Sequence, residues 1–217
     1  MIIGITGGIG SGKSTIARAL AARGYAVYDC DKEAKRIIAE NKDVQQQIIN
    51  LFGEKSFING IYDTQYISKC VFSPSLQGRS GEALLAQLNA IVHPAVKEDI
   101  LSLPSTGRLG GAPFLFLESA ILYEAGLDAI CDKIFVIEAP EDIRIARTIA
   151  RDYHGDASPE NIDKVRARIR AQQSSSRIRA QKTSSPLHGG TERGFILIND
   201  GKKSIEELAE EIIALLN

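Results

Sequence analysis

Ile2-Ile3-Gly4-Ile5-Thr6-Gly7-Gly8-Ile9-Gly10-Ser11-Gly12-Lys13-Ser14-Thr15, continuing through Ile16-Ala17-Arg18-Ala19-Leu20-Ala21-Ala22-Arg23-Gly24, decides the fold. Ile2 to Thr6 reads as a strand, and Lys13 to Arg23 places Ile16, Ala17, Leu20 and Ala21 on one helical face before Gly24, a residue suited to a helix end. Between them Gly7 to Ser14 satisfies G-x-x-x-x-G-K-[ST], in the strand, loop, helix setting that gives this pattern its meaning. The glycines let the loop curl so that successive backbone N–H groups face one centre, and the positive end of the following helix points there too. That arrangement suits a triphosphate chain. A glycine-rich turn that only packs tightly has no need of Lys13 and Ser14. The expected contacts are Gly8, Ile9, Gly10, Ser11, Gly12, Lys13, Ser14 and Thr15, with Lys13 reaching the β and γ phosphates of ATP and the Ser14 hydroxyl on Mg²⁺. A dinucleotide-type G-x-G-x-x-G occurs here only in broken form.

Working outward, Tyr25 to Asp29, Phe114 to Glu118, Ile134 to Glu138 and Phe195 to Asn199 read as further strands. Several are continuously apolar, as strands buried on both faces of a parallel sheet are. Ser204 to Leu216 is a C-terminal helix with one apolar stripe, opened by Ser204 and Glu207 spaced as a capping box. Pro140 opens a helix bearing Arg144, Arg147 and Arg151. From about Lys32 to Gly111 the pattern is a helical insertion, punctuated at Gly53, Asn59-Gly60, Pro74, Gly78 and Pro104, with no pair of core strands. Within it Ala83 to Val92 is a helix expected to break at His93-Pro94, because a residue before proline is pushed out of the α region. Lys164 to Thr191 carries no acidic residue and reads as a basic helix followed by a mobile, serine-containing loop.

The 217 residues include 26 basic and 27 acidic side chains, a net charge of −1, with 44% apolar and 24% charged residues, which excludes disordered, collagenous and coiled-coil classes. One globule with insertions is expected. Near-neutral charge argues against a chain built mainly to coat nucleic acid or membrane, and no apolar run approaches a membrane span. Cys30, Cys70 and Cys131 are far apart and odd in number, so a reducing, cytoplasmic setting is expected. A monomer is expected.

In a parallel sheet ligands gather at the carboxyl ends of the strands. Asp29 and Asp31 follow the second strand; either is a carboxylate for an acceptor hydroxyl or for the metal's water shell, or caps the next helix. Glu118 closes the third strand, either near Mg²⁺ through water or in an ordinary salt bridge. Arg147 and Arg151 stand i,i+4, so both can reach one partner and stabilise charge, unless they are solvated surface groups. His93 is a packing or capping residue or a substrate contact. No cysteine and histidine spacing resembles a zinc site.

The chain resembles the dephospho-CoA kinase family. The resemblance rests on Gly4 to Ser14, on Asp29-Cys30-Asp31, on Leu88-Asn89-Ala90-Ile91-Val92-His93-Pro94, and on Ala120-Ile121-Leu122-Tyr123-Glu124. It continues with Arg147-x-x-x-Arg151, Arg168-Ile169-Arg170-Ala171-Gln172 and Ile198-Asn199-Asp200-Gly201, in family order across nearly the whole chain. It implies an α/β P-loop NTPase core with a parallel sheet flanked by helices, formed by residues 1–31, 113–150 and 193–217. A helical substrate-binding region at 32–112 and a lid at 151–192 complete it. It also implies transfer of the ATP γ-phosphoryl group to the ribose 3′-hydroxyl of dephospho-CoA. On that reading Lys13 and Ser14 hold phosphate and metal, Asp31 is the base or hydroxyl-orienting group, Arg147 and Arg151 stabilise charge, and Thr6 and His93 position substrate. Glu118-Ser119-Ala120 departs from a common Asp-x-Pro, and the basic, serine-rich stretch from Gln173 to Gly194 departs from a more acidic family pattern. Two other functions fit parts of the sequence. Another small-molecule P-loop kinase would share the loop, and an ATP-dependent RNA binder would use the basic run, although it lacks interleaved aromatics.

Overall fold

Ile2-Ile3-Gly4-Ile5 lies at the middle of the sheet, where a strand must be apolar on both faces. A computed structural model describes residues 1–72, 80–103, 111–172 and 193–216. The expected turns at Pro74, Gly78 and Pro104, and the loop expected after the basic helix, up to Thr191, lie outside those residues. The chain forms two compact units, Met1–Asp29 with Leu109–Asn217, and Cys30–Arg108.

In the first unit the strands are β1 (Ile2–Gly7), β2 (Ala26–Asp29), β5 (Leu115–Glu118), β6 (Lys133–Glu138) and β7 (Gly194–Ile198). They pair in parallel in the order β2-β5-β1-β6-β7. All five expected strands therefore form within a residue or two of their expected ends. Helices α1 (Lys13–Ala22) and α8 (Ile205–Ala214) pack together, and Ile16, Leu20, Leu208 and Ile212 bury against Ile3, Ile5, Phe116 and Phe135. Gly24, in the left-handed region at φ 88, ends α1: its N–H donates to the Ala21 carbonyl and that of Tyr25 to Leu20. The capping box of α8 forms as expected from Ser204 and Glu207. Helices α6 (Glu141–Asp152, preceded by Pro140) and α7 (Pro159–Ala171) pack on each other around Ile149, Val165 and Ile169.

The second unit holds α2 (Cys30–Glu40), α3 (Lys42–Phe52), β3 (Phe57–Ile58), β4 (Ile61–Tyr62), α4 (Thr64–Val71) and α5 (Gly81–Ser102). One expectation is corrected here, that of a helix break. The turn expected at Asn59-Gly60 forms, as the two-residue loop of a β3-β4 hairpin, with φ of 52 and 79. Strands of two residues each leave no alternating pattern to read. Helix α5 does not break at His93-Pro94 but runs through it for 22 residues. Proline costs a helix interior about 3 kcal/mol. Burial of Val92, Val96 and Ile100, each worth about 1.5–3 kcal/mol, outweighs that as α5 packs on α2, α3 and α4. Pro94 and Ala90, whose carbonyl loses its i+4 donor, are both exposed, so water can satisfy that oxygen.

Candidate active site

The phosphate loop is the turn from β1 into α1. Gly12 precedes α1 in the left-handed region, at φ 94 and ψ 9, and a Cβ there would run into the Asn199 side-chain amide. Gly10 has φ 74, and its Cβ would strike the Arg144 carbonyl. Helix α1 has no side-chain N-cap and no acidic residue in its first turn. By contrast α3, α4, α5 and α8 are capped by Asn41, Asp63, Ser80 and Ser204. The Thr15 N–H donates to the Gly12 carbonyl, which leaves the Lys13 and Ser14 N–H groups before it for an external anion. Two hydroxyls at the loop, Thr6 Oγ1 and Ser11 Oγ, are fully buried with no partner among the described residues. Buried orphan polar atoms at a loop of this shape fit a polar ligand.

At the front of the loop, Ser14 Oγ donates to Glu118 Oε1 over 3.0 Å, and Lys13 Nζ lies 3.5 Å from the same oxygen. Glu118 stands at the end of β5 beside Ile5 on one side and Asp29 on the other, and is 7% exposed. A serine hydroxyl beside a carboxylate is the hard-oxygen donor set that suits Mg²⁺ shared with phosphates. Among the described residues no group of three or more His, Cys, Asp or Glu forms a metal cage. Any ion here would lean on the substrate's own oxygens.

Other side chains hold the loop by its backbone. Asn199, just past β7, is placed by its N–H to the Glu138 carbonyl and donates Nδ2 to the Ser11 carbonyl over 2.8 Å. Arg147 donates to Asn199 Oδ1 at 3.0 Å and to the Asn199 carbonyl at 3.2 Å. Arg144 Nε donates to the Ile9 carbonyl, and the Ile9 N–H donates to Gln172 Oε1, both over 2.8 Å. A cleft of about 240 Å³ beside the loop is lined by Gly7, Gly8, Glu138, Arg144, Ile169 and Gln172.

Arg147 and Arg151 do not share a partner, contrary to the reach their spacing allows. Arg147 turns to Asn199, whereas the largely exposed Arg151 pairs with Asp152 over 2.6 Å. Arg168 joins the same carboxylate at 2.8 Å. The hydrogen bond from Arg151 and the one from Arg168 draw Asp152 down to about 2. In the second unit Asp31 stands in the first turn of α2, and His93 is a half-buried residue mid-way along α5 whose pKa is lowered by burial.

Arg144, Gln172 and Asn199 are loop contacts to which residue patterns alone assign no role. Arg144 sits one helical turn before Arg147, and the other two fall in the stretches that carried the resemblance.

The family model for dephospho-CoA kinase (CoaE) matches residues 1–184. The chain belongs to the dephospho-CoA kinase family. A dephospho-CoA kinase of Bacteroides fragilis is 33% identical over 214 residues, covering 99% of this chain and 92% of the relative. That of Porphyromonas gingivalis is 40% identical over 150 residues, 69% of each chain. Among solved structures, a Thermus thermophilus protein matches with TM-score 0.72 and 31% identity, covering 100% of this chain and 98% of the other. Dephospho-CoA kinase of Campylobacter jejuni matches with TM-score 0.63 over 99% of this chain and 96% of that one; at 20% identity this likeness concerns the fold. Among the described residues no helix is long and apolar enough to cross a membrane.

Proposed function

We propose that this chain transfers the γ-phosphoryl group of ATP to the ribose 3′-hydroxyl of dephospho-CoA, giving coenzyme A and ADP, the last step of coenzyme A synthesis. The observation that carries the reading is Lys13 and Ser14 converging on Glu118 at an uncapped helix start, in a chain of this family.

On this reading Lys13 cradles the β and γ phosphates with the loop N–H groups other than those of Ile9, Ser11 and Thr15, which donate to Gln172, Gly8 and Gly12. Ser14, with Glu118 through water, would hold Mg²⁺, which when bound neutralises charge on those phosphates. The acceptor 3′-oxygen forms the new bond to Pγ as the bond to the β,γ-bridging oxygen breaks and ADP leaves. Asp31, in the first turn of α2, accepts or orients the proton of that hydroxyl. Arg151, whose partner among the described residues is the Asp152 carboxylate, is available to meet the charge of the transferring group. Arg147 acts from behind the loop through Asn199. Thr6 lies at the loop's base, and His93 serves the acceptor region formed by the helical unit; residues 151–172 belong to the lid. The setting is cytoplasmic, supported by three free buried thiols, and the working unit is a monomer.

The test is Mg²⁺-dependent ADP release with dephospho-CoA, with AMP and without acceptor. Turnover selective for dephospho-CoA, falling at least about 100-fold in Lys13→Ala, is expected. Faster turnover with AMP, or full activity in Lys13→Ala, overturns the assignment.

A further inference from the structure

Ile9 is the apolar side chain of the loop between Gly8 and Gly12, and it is held in three ways. Its side chain, 8% exposed, packs with Ile149 of α6 and with Val165 and Ile169 of α7. Its carbonyl accepts from Arg144 of α6, and its N–H donates to Gln172, the residue that ends α7. The flanking residues are glycines, which lose more backbone freedom on ordering than any other residue. A loop of this composition stays in one form only where something holds it, and the α6-α7 pair holds it at Ile9.

Resting on the reading that this loop is the nucleotide site, we propose that Gln172 is a positioning residue for nucleotide binding. Its side-chain oxygen, acting through the Ile9 N–H and opposite Arg144 on the Ile9 carbonyl, keeps the loop in its phosphate-receiving form before nucleotide arrives. Gln172 works on the loop and not on the reacting atoms. When only a fraction of molecules hold the competent form, apparent affinity falls by that fraction. Loss of one such hydrogen bond corresponds to roughly a fivefold change. Once phosphates occupy the loop they order it themselves, so the chemical step is left nearly as it was.

Gln172→Met keeps the length and packing of the side chain and removes the acceptor. ADP with Mg²⁺ is titrated calorimetrically into the wild-type protein and the variant, alongside steady-state kinetics and thermal unfolding. The expected result is ADP affinity and ATP KM each weakened roughly fivefold, kcat within about twofold, and Tm within about 2 °C. Unchanged ADP affinity overturns the proposal. So does a weakening that comes with a lowered Tm and an equal rise in the KM for dephospho-CoA, since that pattern marks general damage. A wild-type protein that binds ADP but leaves dephospho-CoA unphosphorylated overturns the proposed reaction, while the titration still decides the role of Gln172. No ADP binding by the wild-type protein overturns both.

Discussion

The Ser14 hydroxyl donates to Glu118 Oε1 over 3.0 Å, and the same oxygen faces the Lys13 ammonium. One carboxylate at the end of β5 thus orients both side chains of the loop motif. Glu118→Gln keeps the shape and removes the charge. Loss of a carboxylate that supports a metal from its outer sphere costs about 10–100-fold in metal affinity or activity. The half-saturating Mg²⁺ concentration for ADP release is expected to rise by that order, and an unchanged Mg²⁺ profile would remove Glu118 from this role.

Arg147 and Arg151 should separate when each is replaced by methionine. Removing Arg147 leaves the buried Asn199 side chain and carbonyl short of donors, a loss of about 1–3 kcal/mol. Removing Arg151 breaks an exposed ion pair worth at most about 1 kcal/mol. Urea unfolding should therefore shift clearly for Arg147→Met and little for Arg151→Met, whereas kcat falls in Arg151→Met. Equal stability losses would contradict the division.

Asp152 links stability to pH. Its folded pKa, about 2, lies below the ordinary 3.8, so its contribution is present in full above about pH 4 and is lost as pH falls through about 2. Solvent screening of this exposed cluster limits the contribution to about 0.5–1 kcal/mol. Asp152→Asn is expected to lower the unfolding midpoint at pH 7 and to match the wild-type protein near pH 2. A difference that persists at pH 2 would assign the effect to packing.

Pro94→Ala restores an N–H for the Ala90 carbonyl in α5. Alanine exceeds proline by about 3 kcal/mol in a helix interior, and the extra freedom of the unfolded chain returns about 1 kcal/mol. A net gain of about 2 kcal/mol raises Tm by several degrees in a chain of this size. An unchanged or lower Tm would mean that the helix is fitted to the proline.

The sheet and the phosphate loop were legible because each rests on local pattern. Ile2 to Thr6 and Ile134 to Glu138 are short, apolar and bounded, and Gly7 to Ser14 is a spacing with a mechanism. What local pattern misreads is whatever distant packing decides. Helix α5 passes through Pro94 because Val92, Val96 and Ile100 are buried by three other helices, and no window around His93-Pro94 contains those partners. The β3-β4 hairpin was marked only by Asn59-Gly60, since two-residue strands carry no period. Similarly, spacing gave the reach of Arg147 but not its partner, for Asn199 lies 52 residues further along the chain. Gln172 is 163 residues from Ile9, and only the packing of α7 brings the two together.

Cys30, Cys70 and Cys131 are all buried as free thiols, and burial pushes Cys131 up to about 12. Under the proposed reaction both acceptor and product carry a terminal thiol of their own. Thiol–disulfide exchange needs an accessible thiolate on the protein side. With its own sulfurs inside, the protein can pass this cargo repeatedly without becoming disulfide-linked to it.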